Sequence, residues 1–255
     1  MTRFYGCDPR VFDHCHPRPV LGIDEVGTGC IAGPAYAAGV ILPEAPAILD
    51  ILIRIGLRDS KLMTPLARER VYTFVKAHAL FVHVASASEK EIDADGLSSC
   101  LDRLYTDIVH ACREEFVIPG TVLLDGNHRS SLDYSHEGIV HGDQKSLTIS
   151  AASVVAKVSR DAFMVELSRT VPGYGFEDHK GYQTATHLAA LEKLGVSRVH
   201  RRSTKTVRRL LNPVSPLPFE KPCTARLGDS WPEAGQDDPE WRGRRHGRRP
   251  FGSDA

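Results

Sequence analysis

Four acidic residues stand where carboxylates could do chemistry instead of solvating a surface. Asp24 and Glu25 are adjacent at the end of an apolar run, Asp125 closes the run 121–124, and Asp143 lies in a Gly-Asp-Gln-Lys-Ser segment. A buried carboxylate without a partner is costly, so such groups pair with a cation or bind a metal ion. Oxygen ligands without a matching His or Cys set suit Mg²⁺ or Mn²⁺ better than zinc. The sequence therefore predicts a divalent-metal site for phosphodiester chemistry.

The spacing around Asp24 and Glu25 sets a condition on this site. Neighbouring residues of a regular strand point to opposite faces, so these two can share a metal only if the strand ends or bends there. Gly27 and Gly29 supply the backbone freedom, and their N–H groups could approach a phosphate or sugar closely. Taken alone, the pattern is equally typical of a solvated turn.

Hydrophobic periodicity predicts an α/β fold, with helices flanking a central mixed sheet. Acidic residues at strand ends would then meet at one edge of that sheet. The predicted strands are 20–25, 36–42, 80–87, 122–125 and 138–141, and the predicted helices are 65–79, 97–116, 146–168 and 183–194. Residues 174–184 are expected to form a glycine-punctuated loop.

Composition is that of an ordinary globular protein. The 255 residues include 32 Lys and Arg and 32 Asp and Glu, so the net charge indicates no partner. No apolar run reaches the roughly 18 residues of a membrane span, and the N-terminus has no apolar core typical of a secretory signal. Six cysteines form no disulfide framework. These features favour a cytoplasmic protein without membrane contact.

The domain boundaries follow changes in composition. Residues 1–18 are expected to be an irregular leader, and 19–212 a catalytic domain. Residues 213–255, rich in Pro, Gly, Arg and Asp, are expected to be a disordered tail. The basic cluster 241–249 in that tail is either a solvated run or a source of nonspecific nucleic-acid affinity. Cys7, His14, Cys15 and His16 match no standard zinc-finger spacing.

Several ordered blocks between about residues 20 and 205 resemble the ribonuclease HII (type 2 ribonuclease H) family. They are Gly-x-Asp-Glu-x-Gly-x-Gly-x-x-x-Gly-Pro at 22–34, Arg-Asp-Ser-Lys at 58–61, Leu-Asp-Gly-Asn at 124–127, the segment 142–161, His-Lys-Gly-Tyr at 179–182 and His-Arg-Arg-Ser at 200–203. The resemblance implies a ribonuclease H-like fold with a C-terminal helical segment. It also implies that Asp24, Glu25, Asp125 and Asp143 are catalytic and hold two Mg²⁺ or Mn²⁺ ions.

The substrate follows from the same resemblance. It would be the RNA strand of an RNA–DNA hybrid, or a lone ribonucleotide in duplex DNA cut on its 5′ side to leave a 3′-hydroxyl and a 5′-phosphate. Such cleavage supports removal of ribonucleotides during DNA replication and repair. Gly27, Thr28 and Gly29 would contact the 2′-hydroxyl through their backbone, and Tyr182 would stack on the neighbouring sugar. The family usually has Arg where this chain has Thr28, so a charge-assisted phosphate contact is lost.

Basic residues are candidates for phosphate contacts. Lys61, Lys145 and Lys180 lie in or beside the matching blocks, and residues 198–209 hold six bases and no acid: Arg198, Arg201, Arg202, Lys205, Arg208 and Arg209. A solvated helix face is the other explanation for this run. A phosphate track predicts binding that weakens steeply with salt. Asp161 is expected to pair with Arg160 or Lys157 rather than to bind metal.

Three alternatives stay open from the sequence. One is a catalytically weakened nucleic-acid-binding module of the same fold, which Thr28 could favour and the four intact acids disfavour. The second is the sister ribonuclease HIII type, whose additional N-terminal domain the residues before Val20 are too few to form. The third is a hydrolase of small phosphate esters, which the basic residues and Tyr182 disfavour. A monomer fits the absence of a spare apolar helix.

Overall fold

A five-stranded mixed sheet forms the centre of the computed structural model, which describes residues 9–57, 60–127 and 132–212. The strand order is β3-β2-β1-β4-β5. β1 pairs antiparallel with β2 and parallel with β4, β2 is antiparallel to β3, and β4 is parallel to β5. The strands are β1 Val20–Val26, β2 Ala35–Ile41, β3 Phe81–Ala87, β4 Thr121–Asp125 and β5 His136–Ile139.

Helices cover both faces of this sheet. Those in the described part of the chain are α1 Pro9–His14, α2 Pro46–Arg54, α3 Pro65–His78, α4 Glu89–Asp95, α5 Leu97–Glu114, α6 Leu147–Thr170, α7 Phe176–His179, α8 Ala185–Leu194 and α9 Lys205–Leu211. Short 3₁₀ turns occupy Ser60–Leu62 and Gly142–Gln144. All described residues belong to one compact unit.

The alternation of β1 divides the core into two layers. Leu21 and Ile23 pack with α5 residues such as Leu104 and Ile108 on one face. On the other face, Ala38 and Val40 of β2 pack with buried residues of α3 and α6. The sheet is therefore buried on both sides, and α5 and α6 are the helices that lie opposite each other across β1.

The N-terminal end of α6 is held tightly against β1. Gly22 permits this approach, because a Cβ there would lie 2.4 Å from the Thr148 carbonyl carbon and 2.5 Å from the Ile149 nitrogen. The Ser146 hydroxyl caps the helix by accepting from the Ile149 N–H at 3.1 Å. Asp13 adds a carboxylate from α1, which accepts from the Thr148 N–H at 3.1 Å. A negative group is favourable at a helix N-terminus.

The α/β class, the mixed sheet and the C-terminal helical segment agree with the sequence predictions. The leader differs, because residues 9–14 form α1 and Asp13 anchors it to α6. Helices α2 and α4 were missed, and the expected loop 174–184 contains the short helix α7. The predicted tail 213–255 lies outside the described residues. Among the residues that are described, no helix combines the length and apolarity needed to cross a bilayer.

Gly22→Ala tests the contact between β1 and α6. The added methyl group meets helix backbone that cannot rotate away, so we expect the free energy of unfolding to fall by about 3 kcal/mol or more. Urea denaturation followed by circular dichroism measures the loss. Gly29→Ala is the matched control, since a Cβ at that position meets no atom within 4 Å. Equal stability of the two variants would contradict the packing described here.

Candidate active site

Asp24 and Asp125 are brought together by the parallel pairing of β1 and β4. The register places Gly22 beside Leu123 and Ile23 beside Leu124, so the next residues along the two strands are these two acids. Residues side by side on parallel strands share one face. The face is that of α6, because Leu123 packs against Ile149 of that helix.

Asp143 approaches the same edge from the 3₁₀ turn Gly142–Gln144. The Asp125 Oδ1 atom accepts from the Gly142 N–H at 2.7 Å and from the Asp143 N–H at 3.4 Å. A Cβ at Gly142 would lie 2.6 Å from Ile149 Cδ1 and 3.2 Å from Asp125 Oδ1, so this turn packs closely over the carboxylate. Asp143 itself is buried, with 4% of its surface exposed.

Glu25 faces the opposite side of the sheet from Asp24. Its Oε2 atom accepts from the Tyr105 hydroxyl of α5 at 3.0 Å, whereas Asp24 is hydrogen-bonded to Ser153 of α6. The chain does not bend between the two acids, because β1 stays paired with β2 as far as Val26. The ladder with β4, however, stops at Ile23. Glu25 can thus reach the site only around the end of the strand, beyond β4.

Asp24 lies in surroundings that disfavour its charged form. Burial raises the pKa of its carboxyl well above 3.8, and the neighbouring charges of Glu25 and Asp125 raise it further. Two hydrogen bonds oppose this effect, one from Ser153 and one from the Glu25 N–H at 2.7 Å. A carboxylate in this situation is stabilised by a nearby cation.

The donor set fits hard divalent ions, since every candidate ligand is a carboxylate oxygen. Across residues 9–57, 60–127 and 132–212, no three His, Cys, Asp or Glu side chains form a group that could by itself hold a metal ion. The acids that the strand register and the hydrogen bonds bring together are Asp24, Asp125 and Asp143.

A pair of buried hydroxyls connects Asp24 to the turn that carries Lys61. Ser153 Oγ lies 2.8 Å from Ser60 Oγ. The Arg68 guanidinium holds that turn by donating to the carbonyls of Ser60 at 2.9 Å and Met63 at 3.0 Å. Lys61, the next residue after Ser60, is exposed. The sequence interpretation missed Ser153, whose helical spacing from Ile149 and Ala156 is also that of a core residue.

Arg160 supports the glycine loop, residues 27–34, from the protein interior. This fully buried side chain donates to the carbonyls of Pro34 at 2.9 Å and Lys180 at 2.9 Å. Gly27, at φ 86°, lies so close that a Cβ would be 2.2 Å from Arg160 Nε. Gly27 is therefore required for both its conformation and this close approach, whereas Gly29 is exposed.

Arg201 is not the phosphate contact that the sequence suggested. It is 1% exposed, and it donates to the carbonyls of Gly33 at 2.8 Å and Thr28 at 3.3 Å. Burial lowers its pKa to about 10. The other five bases of the run 198–209 are exposed: Arg198, Arg202, Lys205, Arg208 and Arg209.

Tyr182 lies at the surface above this framework, with 38% of its area exposed. Lys157 Nζ and the Arg160 guanidinium carbon lie 5.9 Å and 5.8 Å from the centre of its ring. Burial raises the pKa of its hydroxyl, which stays protonated at neutral pH. Lys157 also pairs with Asp161 at 2.8 Å, which confirms the expected role of that acid. The half-exposed ring thus lies beside two positively charged side chains.

The remaining predicted lysines are both half-buried. Lys180 lines a cleft of about 530 Å³ together with Arg68 and Lys157, and its ammonium donates to the Glu177 carbonyl. Lys145 comes directly after the turn that carries Asp143.

Comparison with known proteins identifies the family. The Ribonuclease HII family profile matches residues 21–208. This chain belongs to the ribonuclease HII family. A ribonuclease HII from Nitrosococcus oceani is 43% identical over 193 residues, covering 75% of this chain and 91% of that protein.

Solved structures share the fold. Ribonuclease H2 from Pyrococcus horikoshii OT3 superimposes with a TM-score of 0.63 at 23% identity, covering 75% of this chain and 96% of that one. Bst-RNase HIII in complex with Mn²⁺ has a TM-score of 0.59 at 17% identity, covering 83% of this chain and 75% of that one. The ribonuclease H-like fold expected from the sequence is confirmed. As a ribonuclease HII, the protein is a ribonuclease H endonuclease of a family that acts on RNA–DNA hybrids.

Asp24→Asn tests the electrostatics of the site. A pKa raised on folding means that the ionised carboxylate destabilises the fold once the pH exceeds 3.8, so the neutral amide should stabilise the metal-free protein at pH 7. We expect a melting temperature higher by about 2–4 °C for each kcal/mol gained. The gain should disappear below pH 3.8, where both forms are neutral.

Differential scanning calorimetry in EDTA measures this change. Asp161→Asn is the control, because that acid is paired with Lys157 on the surface and its loss should not raise the melting temperature. A lower melting temperature for Asp24→Asn at pH 7 would contradict the inferred charge repulsion.

Proposed function

We propose that this protein nicks duplex DNA on the 5′ side of an embedded ribonucleotide, and cuts the RNA strand of RNA–DNA hybrids, by two-metal-ion catalysis. The products carry a 3′-hydroxyl and a 5′-phosphate, and the reaction serves ribonucleotide removal during DNA replication and repair. The observation that carries the proposal is the register of β1 and β4, which sets Asp24 beside Asp125 under the turn bearing Asp143.

The four carboxylates are the proposed metal ligands in this reaction. Asp24, Glu25, Asp125 and Asp143 would hold the divalent ions, which when bound supply an activated water and stabilise the leaving oxygen. Asp125 is oriented by two backbone N–H groups, and Glu25 by the Tyr105 hydroxyl. These hydrogen bonds fix the oxygen atoms before substrate arrives, which lowers the reorganisation that catalysis needs. Either Mg²⁺ or Mn²⁺ suits these ligands.

Recognition of the ribonucleotide falls to the glycine loop and Tyr182. The carbonyls of Thr28, Gly33 and Pro34 accept hydrogen bonds from buried arginines, which anchors the loop from its inner side. The exposed position of Gly29 leaves room for the minor groove of a duplex. A 2′-hydroxyl both donates and accepts, so backbone groups of the loop can distinguish it from hydrogen.

The exposed bases complete the substrate surface. Lys61 and five bases between Arg198 and Arg209 are exposed, and Lys145 and Lys180 are half-buried. A polymeric substrate uses such a surface, and a small phosphate ester does not. We also propose that the protein works as a monomer in the cytoplasm, where the free thiols of Cys15, Cys30, Cys100 and Cys112 would remain reduced.

Asp125→Asn tests the proposed activity. The amide keeps the volume and one hydrogen-bond acceptor but removes the charge that binds a metal, so we expect the nicking rate to fall by about 10³-fold or more. Cleavage of a hybrid, of a duplex with one ribonucleotide and of an all-DNA duplex is followed on sequencing gels, with Mg²⁺, with Mn²⁺ and with EDTA.

Asp161→Asn again serves as the control and should cleave like the wild type. Wild-type protein that binds these duplexes without cutting them would favour the binding-module alternative. Cleavage of the all-DNA duplex at a similar rate would overturn the proposed recognition of ribose.

Thr28→Arg tests the departure from the usual family residue. Thr28 is half-buried, and only its carbonyl has a described hydrogen bond, so a longer side chain can extend toward phosphate. A charge-assisted contact should lower KM for the single-ribonucleotide duplex by about tenfold. Thr28→Gln adds length without charge and should change KM little. Equal effects of Thr28→Arg and Thr28→Gln on KM would show that the positive charge does not cause the change in affinity.

A further inference from the structure

Three buried histidines lie behind Tyr182, outside the carboxylate site. His187 and His200 are 0% and 1% exposed, and His179 stacks on His187 with 4.2 Å between ring centres. His187 Nε2 lies 3.1 Å from His200 Nε2, so two imidazoles are joined directly by a hydrogen bond. Two ring nitrogens can bond in this way only if one carries a proton and the other does not.

The flanking contacts decide which nitrogen carries the proton. His187 Nδ1 lies 2.8 Å from the Tyr182 carbonyl, which can only accept, so Nδ1 is protonated and Nε2 is the acceptor. His200 must then donate from Nε2. Its Nδ1 atom accepts from the Ser197 N–H at 3.1 Å and from the Ser197 hydroxyl at 2.7 Å, which requires the same tautomer. Both ends of the chain thus fix one arrangement of protons.

His179 holds the same loop at two further points. Its Nε2 atom donates to the Tyr174 carbonyl at 2.7 Å, and its Nδ1 atom accepts from the Gly181 N–H at 3.2 Å. The segment that presents Lys180 and Tyr182 is therefore bound through its backbone to buried imidazoles. None of these contacts depends on the side chain of Tyr182.

His200 is also part of the glycine-loop framework. It forms a β-bridge with Ala32, and the next residue, Arg201, donates its N–H to the Ile31 carbonyl at 2.8 Å. The Ile31 N–H in turn donates to the Gly181 carbonyl at 3.0 Å. The histidine chain consequently links the loop of Gly27 to the loop of Tyr182, the two elements that would read the ribose.

We propose that His187 and His200 are positioning residues, whose single-tautomer hydrogen-bond chain holds Tyr182 in register with the glycine loop and so sets the preference for a ribonucleotide over a deoxyribonucleotide. This inference rests on the proposed function of the same surface. It assigns the histidines no contact with substrate, and their effect passes through Tyr182.

Protonation of either ring would place two donors face to face and break the chain. Burial lowers the pKa of His187 and of His200 to about 4, and the titratable groups that face them are each other, His179 and Tyr174. Because these values lie below the unfolded value of 6.5, the chain is intact at neutral pH. Its contribution to stability is lost progressively as the pH falls from 6.5 to about 4.

Long-range ¹H–¹⁵N spectra of the folded protein test the tautomers directly. We expect His187 as the Nδ1–H form and His200 as the Nε2–H form, without change between about pH 5.5 and 8. A protonated ring, or a mixture of tautomers for either residue at pH 7, would overturn the proposal.

Binding measurements test the effect on recognition. Fluorescence anisotropy in EDTA compares a duplex with one ribonucleotide and the same duplex in DNA. His200→Leu should weaken binding of the ribonucleotide duplex by about tenfold while the all-DNA affinity changes less than about twofold. His200→Gln, whose amide can still donate toward His187, should retain most of the preference. The exposed His110→Leu is the matched control and should bind like the wild type.

A double-mutant cycle separates positioning from general loss of structure. If His200 acts through Tyr182, then His200→Leu should add little to the effect of Tyr182→Ala. Additive losses would overturn the proposal, as would a full preference in His200→Leu. A wild type without any ribonucleotide preference would overturn the proposed function together with this inference. Should His200→Leu fail to fold, His200→Gln and the tautomer spectra still decide the question.

Discussion

The parallel pairing of β1 with β4 is the constraint on which the site depends. It sets Asp24 next to Asp125 on one face, and it stops one residue before Asp24, so that the end of β1 extends beyond its neighbour. Gly22 then lets α6 lie against β1 and deliver Ser153 to Asp24. The fold therefore holds like charges together in a buried place, at an electrostatic cost that a bound cation can offset.

A second framework of opposite charge lies beside the acids. Arg160 and Arg201 are 0% and 1% exposed. The contacts described for them are mainly to backbone carbonyls of the glycine loop and of Lys180. These hydrogen bonds hold the loop from the protein interior. The same side chains place positive charge under a surface that would meet phosphate, which favours an anionic ligand without exposing the arginines to solvent.

The sequence predicted the parts of this structure that have a local signal. Strand ends marked by Asp125 and by the glycines after Glu25 are such signals, as is the apolar first half of α6. What it could not predict are contacts between distant segments. Tyr105 is one position in the apolar stripe of α5, and nothing near it in the chain indicates a bond to Glu25. Arg201 sits in a basic run, and only the tertiary fold distinguishes it from its exposed neighbours.

The bond between Ser60 and Ser153 has a thermodynamic consequence. It joins the turn of Lys61 to a hydrogen-bond donor of Asp24. Coupling between binding sites is reciprocal. If a nucleic acid bound at this turn changed the affinity of Asp24 for a cation, a cation at Asp24 would change the affinity of the turn for the nucleic acid by the same factor.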